Sequence, residues 1–339
     1  MNHMDIFNDD AFSLVSLTAA INNLDFVPGR IGELAFAGVA EGVNSLTVSI
    51  EQRGQGLTLV QTSPRGGPAP KEVQDKGNIR PVSIPQIKIE DTIGAHQIQG
   101  VREFGSTDQL RGVTAVVNGQ LQKMARRLDL TLEYHRLGAV QGVILDADGS
   151  TLTNLFTLFG VSQEAEVDFA LSTSTTDVRG KCAGVIRTMK RNAKTVIPAT
   201  AKVWALCSDD FFDALISHAN VKGVYDGYAA AERRLGESYV HGVFEFGGIF
   251  FENYQGTDDN STVAIAAAKA KFFWTGVPGL FAEYYAPADF METVNTVGLP
   301  RYAKIAPDPK FNRFVDLHTQ TNPLPLCLRP RTLMKAKKQ

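Results

Sequence analysis

The chain has 339 residues, 44% of them hydrophobic, with Lys plus Arg at 34 against Asp plus Glu at 36. That is enough apolar material for one large domain or two modest ones. The near-neutral charge excludes a chain that is basic throughout, as a general nucleic-acid binder would be, and a polybasic membrane anchor.

Asp5, Asp9 and Asp10 in the first ten residues leave no basic-then-apolar pattern, so no signal peptide is expected. Residues 11–24 predict a short helix, with Phe12, Val15, Ala19 and Asn22 on one face, and Pro28-Gly29 marks its stop. Residues 1–45 thus read as an arm. Leu46–Ile50 and Ile87–Ile89 both alternate with period two. They predict a two-stranded excursion over 46–95 whose tip is rich in Gly and Pro (Thr62–Pro70). Such an element cannot form its own core. Between Arg53 and Arg80 it carries five basic residues (Arg53, Arg65, Lys71, Lys76, Arg80) and two acidic ones (Glu72, Asp75). Charge of that sign suits an acidic neighbouring surface, so these seven residues are the candidate assembly contacts.

Residues 106–137 carry the clearest pattern. Leu110, Val113, Val117, Leu121, Met124, Leu128 and Leu132 step by three or four and give one apolar stripe. Ser106 with Gln109 fits a capping box and Gly138 reads as a stop. The length suits a helix lying across a sheet. Asp146-Ala147-Asp148-Gly149 between β-prone runs predicts a hairpin turn. A helix is expected over 174–193 with Val178, Cys182, Val185 and Met189 on one side. A buried strand follows at Lys202–Leu206, then a helix capped by Ser208. Tyr239–Phe246 and Ile249–Tyr254 form a second predicted hairpin around Gly247-Gly248, and 270–330 reads as short β pieces divided by prolines. Strands and helices mix without β-α alternation, which indicates α+β.

The sequence carries few patterns with chemistry in them. Asp146–Gly149 lacks the spacing of a calcium loop, with Thr157 where a bidentate Glu is required. Gly54-Gln55-Gly56 lacks the third glycine of a dinucleotide loop, because Leu59 stands there. His3, His96, His135, His218, His241 and His318 never fall within four residues of one another, so no metal site is expected; no cofactor is expected either. Cys182, Cys207 and Cys327 are few and scattered, which fits free thiols in a reducing cytoplasm. Cys207 precedes Ser208-Asp209-Asp210 at a helix start, but no base partner is visible, and a buried thiol is the simpler reading. Asp209-Asp210 and Asp258-Asp259 read as dipole or solvent features. The basic tail from Arg329 to Lys338 reads as a solvated terminus that could touch phosphates.

The run 276–301 (GVPGLFAEYYAPADFMETVNTVGLPR), Tyr302-Ala303-Lys304, the closing Asp316–Leu324 with Arg329-Pro330, and the central Ile144–Gly149 resemble the lambda-type phage major capsid proteins, the capsid protein E family. The resemblance covers nearly the whole chain. It implies the tailed-bacteriophage major capsid fold: an N-terminal arm (1–45), an extended β-hairpin loop (46–95), a long spine helix with the peripheral domain (96–141), an axial domain (142–270), and a return to the peripheral domain with the C-terminal tail (271–339). It further implies a non-enzymatic shell protein that assembles with itself as hexamers and pentamers. The other partners it implies are a separate scaffolding protein, a portal protein, a decoration protein in some cases, and packaged DNA through non-specific contact, with no membrane. The protein is then made in the bacterial host cytoplasm and resides in the virion. Some relatives cross-link through a loop lysine; no motif singles out Lys71 or Lys76 for that. The competing classes are an α+β hydrolase-like enzyme and a different phage structural part, a tail tube or decoration protein.

Overall fold

A computed structural model describes residues 13–22, 29–52, 78–98, 109–235, 242–256, 263–311 and 313–339. The chain divides into two compact units. The first gathers 1–48, 83–136 and 282–325; the second gathers 49–82, 137–281 and 326–339.

In chain order the elements begin with helices α1 (Leu14–Asn22) and α2 (Arg30–Ala35), then strands β1 (Ala40–Gly42), β2 (Thr47–Gln52), β3 (Asn78–Ser83) and β4 (Ile87–Gly94). The one-turn helix α3 (Ala95–Ile98) precedes α4 (Gln109–Gln141). Strands β5 (Val143–Leu145) and β6 (Thr151–Asn154), helix α5 (Leu155–Phe159), strand β7 (Val167–Asp168) and helix α6 (Val178–Ala193) follow. Next come β8 (Lys202–Cys207), α7 (Asp209–Ser217), α8 (Ala219–Leu235), β9 (Val243–Phe246) and β10 (Ile249–Asn253). The remainder is β: β11 (Lys269–Thr275), β12 (Phe281–Tyr285), β13 (Tyr302–Pro307), β14 (Phe314–Thr321), β15 (Pro323–Cys327) and β16 (Met334–Lys337).

The first unit is built on the amphipathic stripe of α4. Val117, Leu121, Met124 and Ala125 pack with Leu17 and Ile21 of α1, Ile93 of β4, and Ala303, Val315 and Leu317 of the sheet β13-β14-β4. The predicted stripe therefore lies against a sheet, as expected. Of its members, Leu110 and Val113 fall where side chains are not described, and Ser106 lies outside the described residues. The helix passes through Gly138 rather than stopping there and ends at Gly142, whose φ is +88°. Gly138 is small for a different reason. A Cβ at Gly138 would sit 2.8 Å from the Ile144 Cα and the Val143 carbonyl oxygen, where the chain doubles back along the helix.

The second unit centres on a six-stranded sheet in the order β7-β16-β11-β8-β10-β9. β8 and β10 run parallel, joined through α7 and α8, and β9 and β10 form the hairpin expected at Gly247-Gly248. Phe169, Phe211, Phe251 and Phe272 make a buried aromatic cluster, with rings 5.5–6.1 Å apart. Val178, Cys182, Val185 and Met189 of α6 are buried as predicted. Asp146–Gly149 forms the turn between β5 and β6. The Asp146 amide donates to the Ser150 carbonyl at 2.8 Å and the Asp148 carboxylate accepts from the Ser150 amide at 2.8 Å. Ser208 starts α7 without capping it through its side chain. Its hydroxyl instead accepts the Lys269 amide at 3.2 Å and ties α7's start to β11.

Two strand assignments differ from expectation. The partner of β2 is β3, not Ile87–Ile89, which lies in β4 and pairs with β14. The C-terminal segment is also not a solvated tail, because β16 is an interior strand of the six-stranded sheet. The stretch expected to return whole to the peripheral part is divided: 282–325 joins the first unit, whereas β11 and β16 belong to the second.

Candidate assembly interface

Of the seven candidate contact residues, Arg53, Arg65, Lys71, Glu72, Asp75 and Lys76 lie outside the described residues. Arg80 is described. Its guanidinium donates to the Leu158 carbonyl of α5, within the second unit. Along β3 the side chains alternate: Val82 is buried and Arg80 half-buried, while Ile79, Pro81 and Ser83 face outward. One face of the hairpin base is thus anchored on its own subunit, and the other is free.

The arm is fastened to the first unit by buried polar bonds. Thr18 on α1 exchanges hydrogen bonds with the Ala303 backbone, its hydroxyl donating to the carbonyl and accepting from the amide. Arg301 donates to the Ile21 carbonyl at 3.1 Å and to both oxygens of Asp129 at 2.6 and 2.7 Å. Burial raises the Asp129 carboxyl above its ordinary range even though Arg301 pulls it down. Glu133 of α4 accepts the amides of Ile31 and Gly32 at 2.7 and 3.3 Å, satisfying the otherwise open first turn of α2. A Cβ on Gly29 would lie 2.1 Å from the Glu133 carboxyl carbon, so this approach requires glycine. Arg136 makes a two-pronged bond with Glu283 of β12, both contacts 2.9 Å, with each side chain almost wholly buried.

Removing one partner of such a buried pair leaves the other charge uncompensated and costs about 3–5 kcal/mol. Glu283→Ala is therefore expected to lower the denaturant midpoint sharply. Glu292→Ala, at the exposed pair with Lys304, is expected to change it little. Equal midpoints for the two variants would contradict the buried-network reading.

The polar run 319–322 has a definite task. Thr321 donates to the Pro300 carbonyl at 2.6 Å, Asn322 donates to the Pro287 carbonyl at 2.7 Å, and Gln320 donates to Asn322 at 2.9 Å. The Tyr302 hydroxyl accepts the Leu299 amide at 2.8 Å. These bonds pin segment 287–300 from behind. That segment leaves Met291 (90% exposed), Val294 (59%), Val297 (62%) and Leu299 (44%) open to solvent. A groove of about 960 Å³ in the same unit is lined by Val15, Phe36, Tyr285, Val297 and Leu299, among others. A loop tied down by buried hydrogen bonds that exposes several large apolar side chains is a candidate contact surface. Sequence reasoning looked for charge and missed this row, although the spacing Met291-x-x-Val294-x-x-Val297-x-Leu299 next to Pro300 was available.

No catalytic constellation accompanies these features among the described residues. No group of three or more His, Cys, Asp or Glu is placed to hold a metal. Burial pushes the Cys207 thiol well above its ordinary pKa, and all three cysteines are buried and unlinked. His218 contacts the Thr173 carbonyl at 3.0 Å and accepts the Asn220 amide at 3.2 Å. His135 is buried in α4. Asp209 and Asp210 are exposed in the first turn of α7. No helix among the described residues is long and apolar enough to cross a membrane.

Residues 13–338 match the phage major capsid protein E family. The chain belongs to that family. It is 26% identical to the major capsid protein of Pseudomonas phage KPP10, over 96% of this chain and 97% of that protein. In fold it is similar to a crystal structure described as a prophage capsid protein of E. coli CFT073, with a TM-score of 0.58 at 13% identity over 96% of this chain and 99% of that one. It is also similar to the capsid of cyanophage A-1(L), with a TM-score of 0.51 at 13% identity over 94% and 95%. The capsid fold and the α+β class expected from the sequence are thus established for this major capsid protein. The segments that carried the resemblance include the pinned loop 287–300 and the strand β14 that pins it, along with 276–286, Tyr302-Ala303-Lys304, Arg329-Pro330 and the turn at 144–149.

Proposed function

We propose that this capsid protein closes its shell through two projecting elements, the β2–β3 hairpin and the apolar row on 287–300. The observation that carries the reading is the second. Four large apolar side chains stand exposed on a loop whose backbone is fixed by buried hydrogen bonds. Exposure of that kind is unfavourable for an isolated subunit and is relieved when a second copy covers it. Head-to-tail contacts that close on rotation give rings, here pentamers and hexamers, and repetition multiplies modest contacts into a stable shell. The loop charges Arg53, Arg65, Lys71, Glu72, Asp75 and Lys76 then fix register on an acidic neighbour rather than supplying most of the affinity. The protein acts as a structural component of the virion, not an enzyme. It is made in the host cytoplasm, with a separate scaffolding protein, a portal protein, packaged DNA and, in some heads, a decoration protein as partners.

Expression of the chain alone and with a scaffolding protein, followed by electron microscopy, tests this. Closed spheres or five- and six-membered rings are expected. A dispersed monomer under both conditions contradicts the reading.

A further inference from the structure

The C-terminal strand β16 lies between β11 and β7, and its register on β11 places like charges opposite one another. Lys269 faces Lys337 and Lys271 faces Lys335, all on the same side of the sheet. The alternate residues Ala270, Phe272, Met334 and Ala336 point the other way and are buried. Directly opposed like charges destabilise an antiparallel pair. Acids on the neighbouring segment form ion pairs with only two of the four lysines. Glu166 holds Lys269 at 2.8 Å and Asp168 lies 3.5 Å from Lys337. Lys335 donates to the neutral amide oxygen of Gln163 at 3.0 Å. The Lys271 ammonium has no hydrogen bond or ion pair among the described residues, and the nearby Glu166 carboxylate, already paired with Lys269, acts on it only through space. Across β8 its neighbour is Leu206, and the next acid along that row, Glu252 of β10, accepts the Trp204 indole N–H at 2.7 Å. Burial, then the Lys335 charge, lowers the pKa of Lys271, with Glu166 opposing. Lys338 extends the basic run past the strand end.

We propose that this lysine grid is a binding site for the phosphate backbone of double-stranded DNA. The inference rests on the shell reading for the source of the polyanion and on the register of β16 for the site. Same-face lysines two residues apart stand roughly 7 Å apart along a strand, and the opposed pairs roughly 5 Å apart across strands. A single protein carboxylate would neutralise one ammonium and leave the others repelling. A chain of phosphates engages several at once and releases its own counterions. Lysines supply point charges without arginine's two-pronged geometry, so the contact carries no base sequence preference.

The test is fluorescence anisotropy of a labelled duplex of arbitrary sequence with the full-length, unassembled subunit, from about 50 to about 200 mM salt. Lys271→Met with Lys335→Met is expected to weaken low-salt binding at least tenfold and to reduce the slope of log affinity against log salt by about 1.8, since each phosphate contact contributes about 0.9. Melting temperature should hold or rise, because repulsion is removed. If the double variant does not fold, Lys335→Met alone should remove about half of that slope. Unchanged affinity and slope overturn the proposal. So does poly-glutamate binding that matches DNA and is lost with the same substitutions, because the site then takes acidic protein. Particle formation is read separately by microscopy, so failure here leaves the shell reading standing.

Discussion

Replacing residues 54–77 with a short turn is expected to leave a folded, soluble subunit that no longer forms shells. The exchange keeps β2 and β3, the anchoring bond from Arg80 to the Leu158 carbonyl, and the buried Ile50 and Val82. The described core contacts of β2 and β3 are therefore kept. What it loses is the segment bearing the candidate contacts Arg65, Lys71, Glu72, Asp75 and Lys76, which on the proposed reading meet an adjacent copy. On the proposed reading assembly rests on many weak contacts acting together, so removing one class of contact from every subunit acts cooperatively. The threshold concentration for shells should rise by about a hundredfold or more, in line with the range over which multivalency amplifies affinity. Sedimentation and negative-stain microscopy measure this, with circular dichroism to establish folding. Closed particles at the wild-type threshold would remove the hairpin from the assembly mechanism and leave the 287–300 row to carry it.

The contrast between what the sequence displays and what it conceals follows from which forces act within one subunit. The α4 stripe was legible because a single face of a long helix buries Val117, Leu121, Met124 and Leu128 in succession, and burial imposes its period on the residues. The turn at Asp146–Gly149 was legible because Gly149 adopts a φ of +85° that few other residues accept. The partner of β2 was not. Asn78–Ser83 places Arg80 on its inward face and Ile79 and Pro81 on its outward one, so the burial alternation of β3 is not written in hydropathy as that of Ile87–Ile89 is. β16 was misread because Met334-Lys335-Ala336-Lys337 has the composition of a solvated tail, and only the long-range pairing with β11 reveals that Met334 and Ala336 are interior. The exposed row at Met291–Leu299 was hidden for the opposite reason. Apolar residues near prolines read as buried, and nothing in a single chain distinguishes a core position from one reserved for a second molecule. Charge is similarly silent about position: nothing in the sequence distinguishes Arg80, whose guanidinium donates to the Leu158 carbonyl, from the other charged residues of the loop.

Leu121→Asp is expected to unfold or aggregate the chain. Leu121 is 1% exposed and sits amid Leu17, Ile21, Ile93, Val117, Met124, Ala303, Val315 and Leu317, so the substitution acts where α4, the arm and the sheet β13-β14-β4 meet. Truncating a buried leucine costs about 2–5 kcal/mol. Placing a carboxylate there adds several more, or forces the acid to bind a proton. The sum approaches the about 5–15 kcal/mol by which a whole domain is stable. Two controls isolate the cause. Leu121→Met conserves volume and should cost less than about 1.5 kcal/mol. Leu130→Asp places the same charge on the same helix at a side chain 43% exposed, where the change should stay near about 0.5 kcal/mol. Thermal melts of the three variants settle the point. A native-like melt for Leu121→Asp would mean that the stripe does not face the core, and the spine helix would lose its place as the element on which the first unit is built.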